Sequence, residues 1–262
     1  NTEIFNIFHK NKRILLFLIK NKVFKVDEQL MNSIKDQNFP EYFAESYKSD
    51  EKHAEKKEIG ENDSHICQLI RNDSIEEFII YISETNYRLT NMIEPSIYET
   101  NPLLMHKTLT LLEYAVFFGS LKIVKYLLIN GFELTQSLVL FAIHSNNAEM
   151  VHLFEEQHFF NHQYTNQLLR YFEESIKCHH NDIAIYIQEN YFRNNRDFYD
   201  SILSYSFRFI NYEILAGYEI NSILLLYACF YNYIELVKLL LNDERININY
   251  RFYDNFVIYF FS

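Results

Sequence analysis

One stretch, TLTLLEYAVFFGSLKIVKYLLINGFEL at residues 108–134, limits what this chain can fold into more than any other feature. Thr110 is placed to cap a helix, since its hydroxyl can accept from a first-turn amide, and Glu113 three residues later can reach back to the amide of the cap. Ala115 is small where two helices must approach closely. Gly119 can end the first helix in the left-handed conformation, which costs glycine nothing. Ile123, Val124, Leu127 and Leu128 then recur at helical spacing until Gly131 stops the second helix in the same way. The segment predicts a pair of short helices joined by a tight turn. Such a pair buries its apolar faces only by stacking on others of its kind.

The pattern recurs. With Ala115 as marker, later copies put Ala142, Ser175 and Ala228 at the same place, with second helices starting near Met150, Ile183 and Leu236. The wide gap before Ala228 predicts one more, shortened unit at 201–221. At the Gly119 position the copies carry Asn146, His179 and Asn232, and asparagine is the residue that best tolerates the left-handed region after glycine. Residues 69–82 parallel the second half of residues 227–240, so a partial unit precedes the series. Another begins near the last residues, either as a half-unit covering the core or as the start of something longer; the lack of a methionine at Asn1 leaves the same question at the other end.

These residues resemble the ankyrin repeat, whose pattern T-P-L-H-x-A-A-x-x-G-H-x-E-I-V-x-x-L-L-x-x-G is met at Thr110, Leu112, Ala115, Gly119, Ile123, Val124, Leu127, Leu128 and Gly131. It departs at Leu111 and Glu113, where Pro and His are usual. Residues 60–158 also look like the ankyrin-bearing domain of unknown function that is multiplied in some protist proteins. The resemblance implies an all-α, ankyrin-like solenoid of stacked helix pairs with short or absent β-hairpins, and a non-catalytic scaffold or adaptor that binds another protein. It also implies partner contacts at the hairpin tips and just past each marker, at Phe117, Phe118, His144, Ser145, Lys177, Cys178, Phe230 and Tyr231. An alternative for the aromatic members is packing against neighbouring units.

Composition agrees with helices. With Gly 4 and Pro 3 among 262 residues there are too few turn formers for a barrel or sandwich, and 48% hydrophobic residues suffice for a core. A net charge of -11 argues against nucleic acid as the main partner, because phosphate binding needs a basic footprint. Cys67, Cys178 and Cys229 are far apart and form no CxxC, which fits free thiols in a reducing, cytoplasmic setting. The longest apolar runs, six residues at 14–19 and at 256–261, are too short to span a bilayer.

Ahead of the repeats at 65–262, residues 1–47 read as a small helical region broken near Pro40, and 48–64, KSDEKHAEKKEIGENDS with Lys48 and Ser64 at its ends, as a charged, solvated linker. Residues 1–25 carry Lys10, Lys12, Arg13, Lys20, Lys22 and Lys25 against Glu3 alone. A solvated helix face is the plain reading; a membrane-peripheral adaptor using this basic helix is the alternative.

Motifs for catalysis are absent: no G-x-S-x-G elbow, no phosphate-cradling loop and no H-E-x-x-H, since Phe159 follows His158. His158 and His162 have the i, i+4 spacing of a metal pair, with Glu155 and Glu156 nearby. Cys178, His179, His180 and Asp182 are ligand types in a row, but adjacent helical residues point apart and cannot close a site alone. A metal-dependent enzyme is therefore the remote alternative, and the expectation is no catalytic residue, no cofactor and no metal.

Overall fold

A computed structural model describes residues 4–5, 11–23, 25, 51–105, 107–160, 165–192 and 196–247. Among them fourteen helices and one two-stranded ladder form two compact units, residues 1–134 and 135–262. The part of the expected helical region past residue 25, the break at Pro40, His162 and the half-unit past residue 247 lie outside the described residues.

The first unit starts with α1 (Lys12–Lys20), capped by Asn11, whose side chain accepts from the Ile14 amide at 3.0 Å. Leu15 and Lys12 face inward, and the Lys12 ammonium donates to the carbonyls of Ile97 and Glu99 at 2.8 and 3.2 Å. Arg13 bonds Thr100 and the carbonyl of Ile59, and Lys20 pairs with Glu58. Thus Lys12, Arg13 and Lys20, read in the sequence as a solvated basic face, are engaged within the unit. Inside the stretch expected as a linker, residues Glu51–Ile59 form helix α2. Its many charges lie on exposed faces while His53 and Gly60 are buried, and buried residues one turn or more apart are enough to dock a helix.

Two helix pairs follow, α3 (His65–Arg71) with α4 (Ile75–Thr85) and α5 (Leu111–Phe117) with α6 (Leu121–Ile129). Helix α3 packs on α5 and α4 on α6. Between the pairs, β1 (Met92–Ile93) runs antiparallel to β2 (Leu109–Thr110), with Met92 opposite Thr110. The predicted capping box is present: the Thr110 hydroxyl accepts from the Glu113 amide at 3.1 Å, and the Glu113 carboxylate accepts from the Thr110 amide at 2.7 Å.

Among its described residues the second unit holds four pairs: α7 (Val139–His144) with α8 (Ala148–Glu156), α9 (Thr165–Lys177) with α10 (Asn181–Tyr191), α11 (Arg196–Arg208) with α12 (Tyr212–Ala216), and α13 (Ser222–Phe230) with α14 (Ile234–Leu241). First helices stack in order, α7 on α9, α9 on α11 and α11 on α13. The hidden unit expected at 201–221 is the α11–α12 pair, and its second helix is five residues long. The second helices start at Ala148, Asn181 and Ile234, two residues ahead of the predicted positions.

Every hairpin turns through one left-handed residue: Asp73 (φ 48), Gly119 (φ 70), Asn146 (φ 50), His179 (φ 57), Ile210 (φ 57) and Asn232 (φ 60). The reason is hydrogen bonding. In the first turn the Asp73 amide returns to the Ile70 carbonyl at 2.9 Å and the Ser74 amide to Leu69 at 3.1 Å, which satisfies carbonyls the helix end would otherwise leave bare. Closing that pattern imposes the backbone conformation even on Ile210, a β-branched residue ordinarily excluded from it. Small residues sit four positions before the turn in five of the six pairs; Ala115, Ala142, Ser175, Ser206 and Ala228 are all fully buried.

Successive pairs are tied through these turns. The residue after the left-handed one bonds the turn carbonyl of the preceding pair: the Ser120 hydroxyl to Ile70 at 2.5 Å, the His180 ring to Ile143 at 2.8 Å, the Asn211 amide to Ile176 and the Tyr233 hydroxyl to Phe207, both at 3.0 Å. Each of those carbonyls also accepts its own turn amide, so both lone pairs are used. Asp73 adds a further tie, accepting from the amides of Lys122 and Ile123 and so capping the helix of the next pair.

Candidate functional site

The chemistry of the second unit gathers where first helices end. His144 is the last residue of α7, and Lys177 is the last residue of α9, which packs against it, with Cys178 directly after. Glu174 lies one turn before Cys178 on the same face of α9. The His144 Nε2 and Glu174 Oε1 atoms are 2.7 Å apart. Cys178 Sγ stands 3.5 and 3.7 Å from the two ring nitrogens of His144 and 3.9 Å from Glu174 Oε1. The ammonium of Lys177, on the solvent side, donates to both Glu174 oxygens at 3.0 and 3.3 Å.

The electrostatics follow from this arrangement. Burial alone would raise the Glu174 carboxyl, but the hydrogen bond with His144 and the Lys177 cation outweigh it and hold the group down at about 2. The Cys178 thiol moves the other way, to about 11, through burial and the neighbouring Glu174 charge. Left to itself it stays a thiol and is a poor nucleophile at neutral pH.

The other candidates fall in different places. Phe117 is a correction: it is 7% exposed and packs its ring edge-on to Phe118 at 5.1 Å, so it belongs to the core and a partner cannot reach it. The cause is that α5 buries nearly its whole circumference, Leu111, Leu112, Tyr114, Ala115, Val116 and Phe117 together. Phe118 is half-buried against Tyr114 at 4.7 Å and under the Arg71 guanidinium. Ser145 is occupied with its own turn, donating to the Ala142 carbonyl at 2.6 Å and accepting from the Asn147 amide at 3.2 Å. Tyr231 stacks on Phe207 at 6.0 Å and its hydroxyl meets Ser204. Phe230 is 53% exposed. In the intervening pair Arg208 lies over Phe209 and 3.5 Å from Glu173, an ion pair open to solvent.

Sequence reasoning missed Glu174. Its signal was available in the repeat register, because His144 and Lys177 are both two residues past their markers, Ala142 and Ser175. Stacked helices bring equivalent positions side by side. The histidines next to Cys178 behave as the sequence implied: His179 makes the left-handed turn and His180 bonds Ile143, so neither joins Cys178. Burial, with the neighbouring His144, lowers the His180 ring below the ordinary histidine value. His158 is an exposed left-handed turn residue. Glu155 accepts from the hydroxyls of Tyr186 and Tyr191 and pairs with His152, a structural role.

No described helix is long and apolar enough to cross a membrane. The ankyrin repeat family model matches residues 221–252, which contain α13 and α14. No curated protein and no solved structure matches the chain. With helix pairs and one short ladder among the described residues, the architecture is an all-α, ankyrin-like helical repeat.

Proposed function

We propose that the chain is a non-catalytic binding module that holds a protein partner on the ends of the first helices of its second unit. The observation that carries this reading is the series of reachable, chemically mixed side chains on a fixed frame: His144, Lys177 and Cys178, then Arg208 and Phe209, then Phe230. Ankyrin repeats are interaction modules, and the family match over the α13–α14 pair supports a protein as the partner. Aromatic and arginine side chains at a partly desolvated surface are the types that dominate interface energies. Three free cysteines support a reducing, cytoplasmic setting. The likeness of residues 60–158 to the protist-multiplied domain is part of the same proposal and rests on sequence alone.

The test is a quantitative comparison of partners recovered by the full chain and by Phe230→Glu, Lys177→Glu and the control Ile129→Glu, an exposed residue of the first unit. A protein retained by wild type and control but lost from both other variants is the expected result. A partner set unchanged by Phe230→Glu and Lys177→Glu refutes the assignment of the surface.

A further inference from the structure

In the sequence Cys178, His179 and His180 are consecutive and cannot close a metal site alone, yet the fold supplies different companions for the thiol. His144 from α7 and Glu174 from α9 bring a nitrogen and an oxygen ligand to Cys178, all three atoms lying within 4.8 Å of one another. We propose that His144, Glu174 and Cys178 form a binding site for a zinc-class divalent cation.

Distance makes the first part of the case. With Nε2 to Oε1 at 2.7 Å, Nε2 to Sγ at 3.7 Å and Sγ to Oε1 at 3.9 Å, one point lies about 2 Å from all three atoms. Zinc bonds to nitrogen, oxygen and sulfur are about 2.0–2.3 Å long; because Sγ is as near Nδ1 as Nε2, the imidazole and the thiol turn about their side-chain bonds to aim the Nε2 lone pair and the sulfur at one ion. The cluster is partly exposed, the His144 and Glu174 side chains at 13% and 16%, so a solvent water is the natural fourth ligand.

Chemistry selects the cation. A thiolate with an imidazole favours zinc and its neighbours over magnesium or calcium, which take oxygen ligands. Binding is balanced by release of a proton: the Cys178 S–H bond breaks, the sulfur lone pair bonds the metal, and the proton goes to solvent. Support also comes from rigidity. Glu174 and Cys178 are one turn apart in α9, and α9 is fixed to α7 by packing and by the His180 bond to Ile143. Lys177 is the opposing element: its ammonium shares Glu174 and repels an incoming cation, so the affinity is set against it.

The experiment is a Co2+ titration of the full chain, first stripped with chelator, followed by addition of Zn2+. One equivalent of Co2+ produces a thiolate-to-metal charge-transfer band with visible bands of tetrahedral intensity, and Zn2+ removes them. Cys178→Ser abolishes the charge-transfer band, while Cys67→Ser and Cys229→Ser keep it. Glu174→Gln and His144→Ala each weaken binding at least about tenfold, and Lys177→Ala strengthens it severalfold. Independently of any variant, Zn2+ slows alkylation of Cys178 in the wild-type chain. Absence of a stoichiometric band, a band that survives in Cys178→Ser, or unchanged alkylation overturns the proposal.

Discussion

Replacing Ser206 with alanine makes the protein more stable. Ser206 occupies the small-residue position of the α11–α12 pair, is fully buried, and its hydroxyl has no hydrogen-bond partner. Leaving a buried hydroxyl unpaired costs about 1–3 kcal/mol, and alanine is the better helix former by roughly 0.5 kcal/mol. The three alanines at equivalent positions, Ala115, Ala142 and Ala228, show that a methyl group fills the space. A gain of about 2 kcal/mol is expected, which for a domain of this size raises Tm by about 4–8 °C. Ser175 is the internal control. It stands at the same position one pair earlier, equally buried, but donates to the Phe172 carbonyl at 2.7 Å. Ser175→Ala loses a bond worth about 1 kcal/mol and recovers roughly half of that in propensity, so Tm shifts little. Thermal unfolding followed by far-ultraviolet circular dichroism measures both variants. If Ser206→Ala is no more stable than Ser175→Ala, the reasoning from the unpaired hydroxyl is wrong.

Further tests concern the turns, the ties between pairs and one carboxylate. Gly60→Ala destabilises by about 2–3 kcal/mol, because the new Cβ combines the left-handed strain of φ +70 with a 2.9 Å approach to Thr100 Oγ1. Gly131→Ala costs only the strain, about 1 kcal/mol, since nothing lies within 4 Å; equal urea midpoints for the two variants would sink the distinction. Asn211→Ala lowers stability by about 2–4 kcal/mol, because the fully buried amide bonds both Ile176 and Asn181, and loss of less than 1 kcal/mol in chemical denaturation would contradict it. Burial raises the Glu155 carboxyl, but hydrogen bonds from Tyr191 and Tyr186 and the contact with His152 bring it below its ordinary value of 4.5. A depressed carboxylate contributes stability above its unfolded pKa and loses it as pH falls through the folded one. Glu155→Gln is therefore less stable than wild type at pH 7, and the gap closes on acidification below about pH 4; a gap independent of pH would refute the role.

The helix pairs were legible because their punctuation is local. The capping box at Thr110 and Glu113, and the turns at Gly119, Asn146 and Asn232, are written within a few residues of the atoms they bond. Ile210 was illegible for the same reason inverted: its side chain disfavours the turn it makes, and the closing bonds from Ile210 and Asn211 impose that turn from the backbone. Helix α2 was hidden because its charged residues carry the composition while the buried His53, and Gly60 just past its end, carry the docking. Phe117 was misjudged because position past the marker does not reveal that α5 is buried on nearly every side. The cluster joins His144 to Glu174 and Cys178, 30 and 34 positions away, so it becomes visible only when the stacking register is known.

The ties between turns also give the array a direction. In the four ties from Ser120, His180, Asn211 and Tyr233 the later pair supplies the side chain and the earlier pair supplies a carbonyl that already holds its own turn amide, while the Asp73 carboxylate runs the other way. Removing the later pair strips a second bond from an oxygen that keeps its first. Removing the earlier pair strands a hydroxyl, an imidazole, an amide or a phenol against a vacated surface. Within the second unit, where three such ties follow one another, the ends are therefore not equivalent: fraying advances from the last described pair inward, and the first pair is the foundation on which its successors depend.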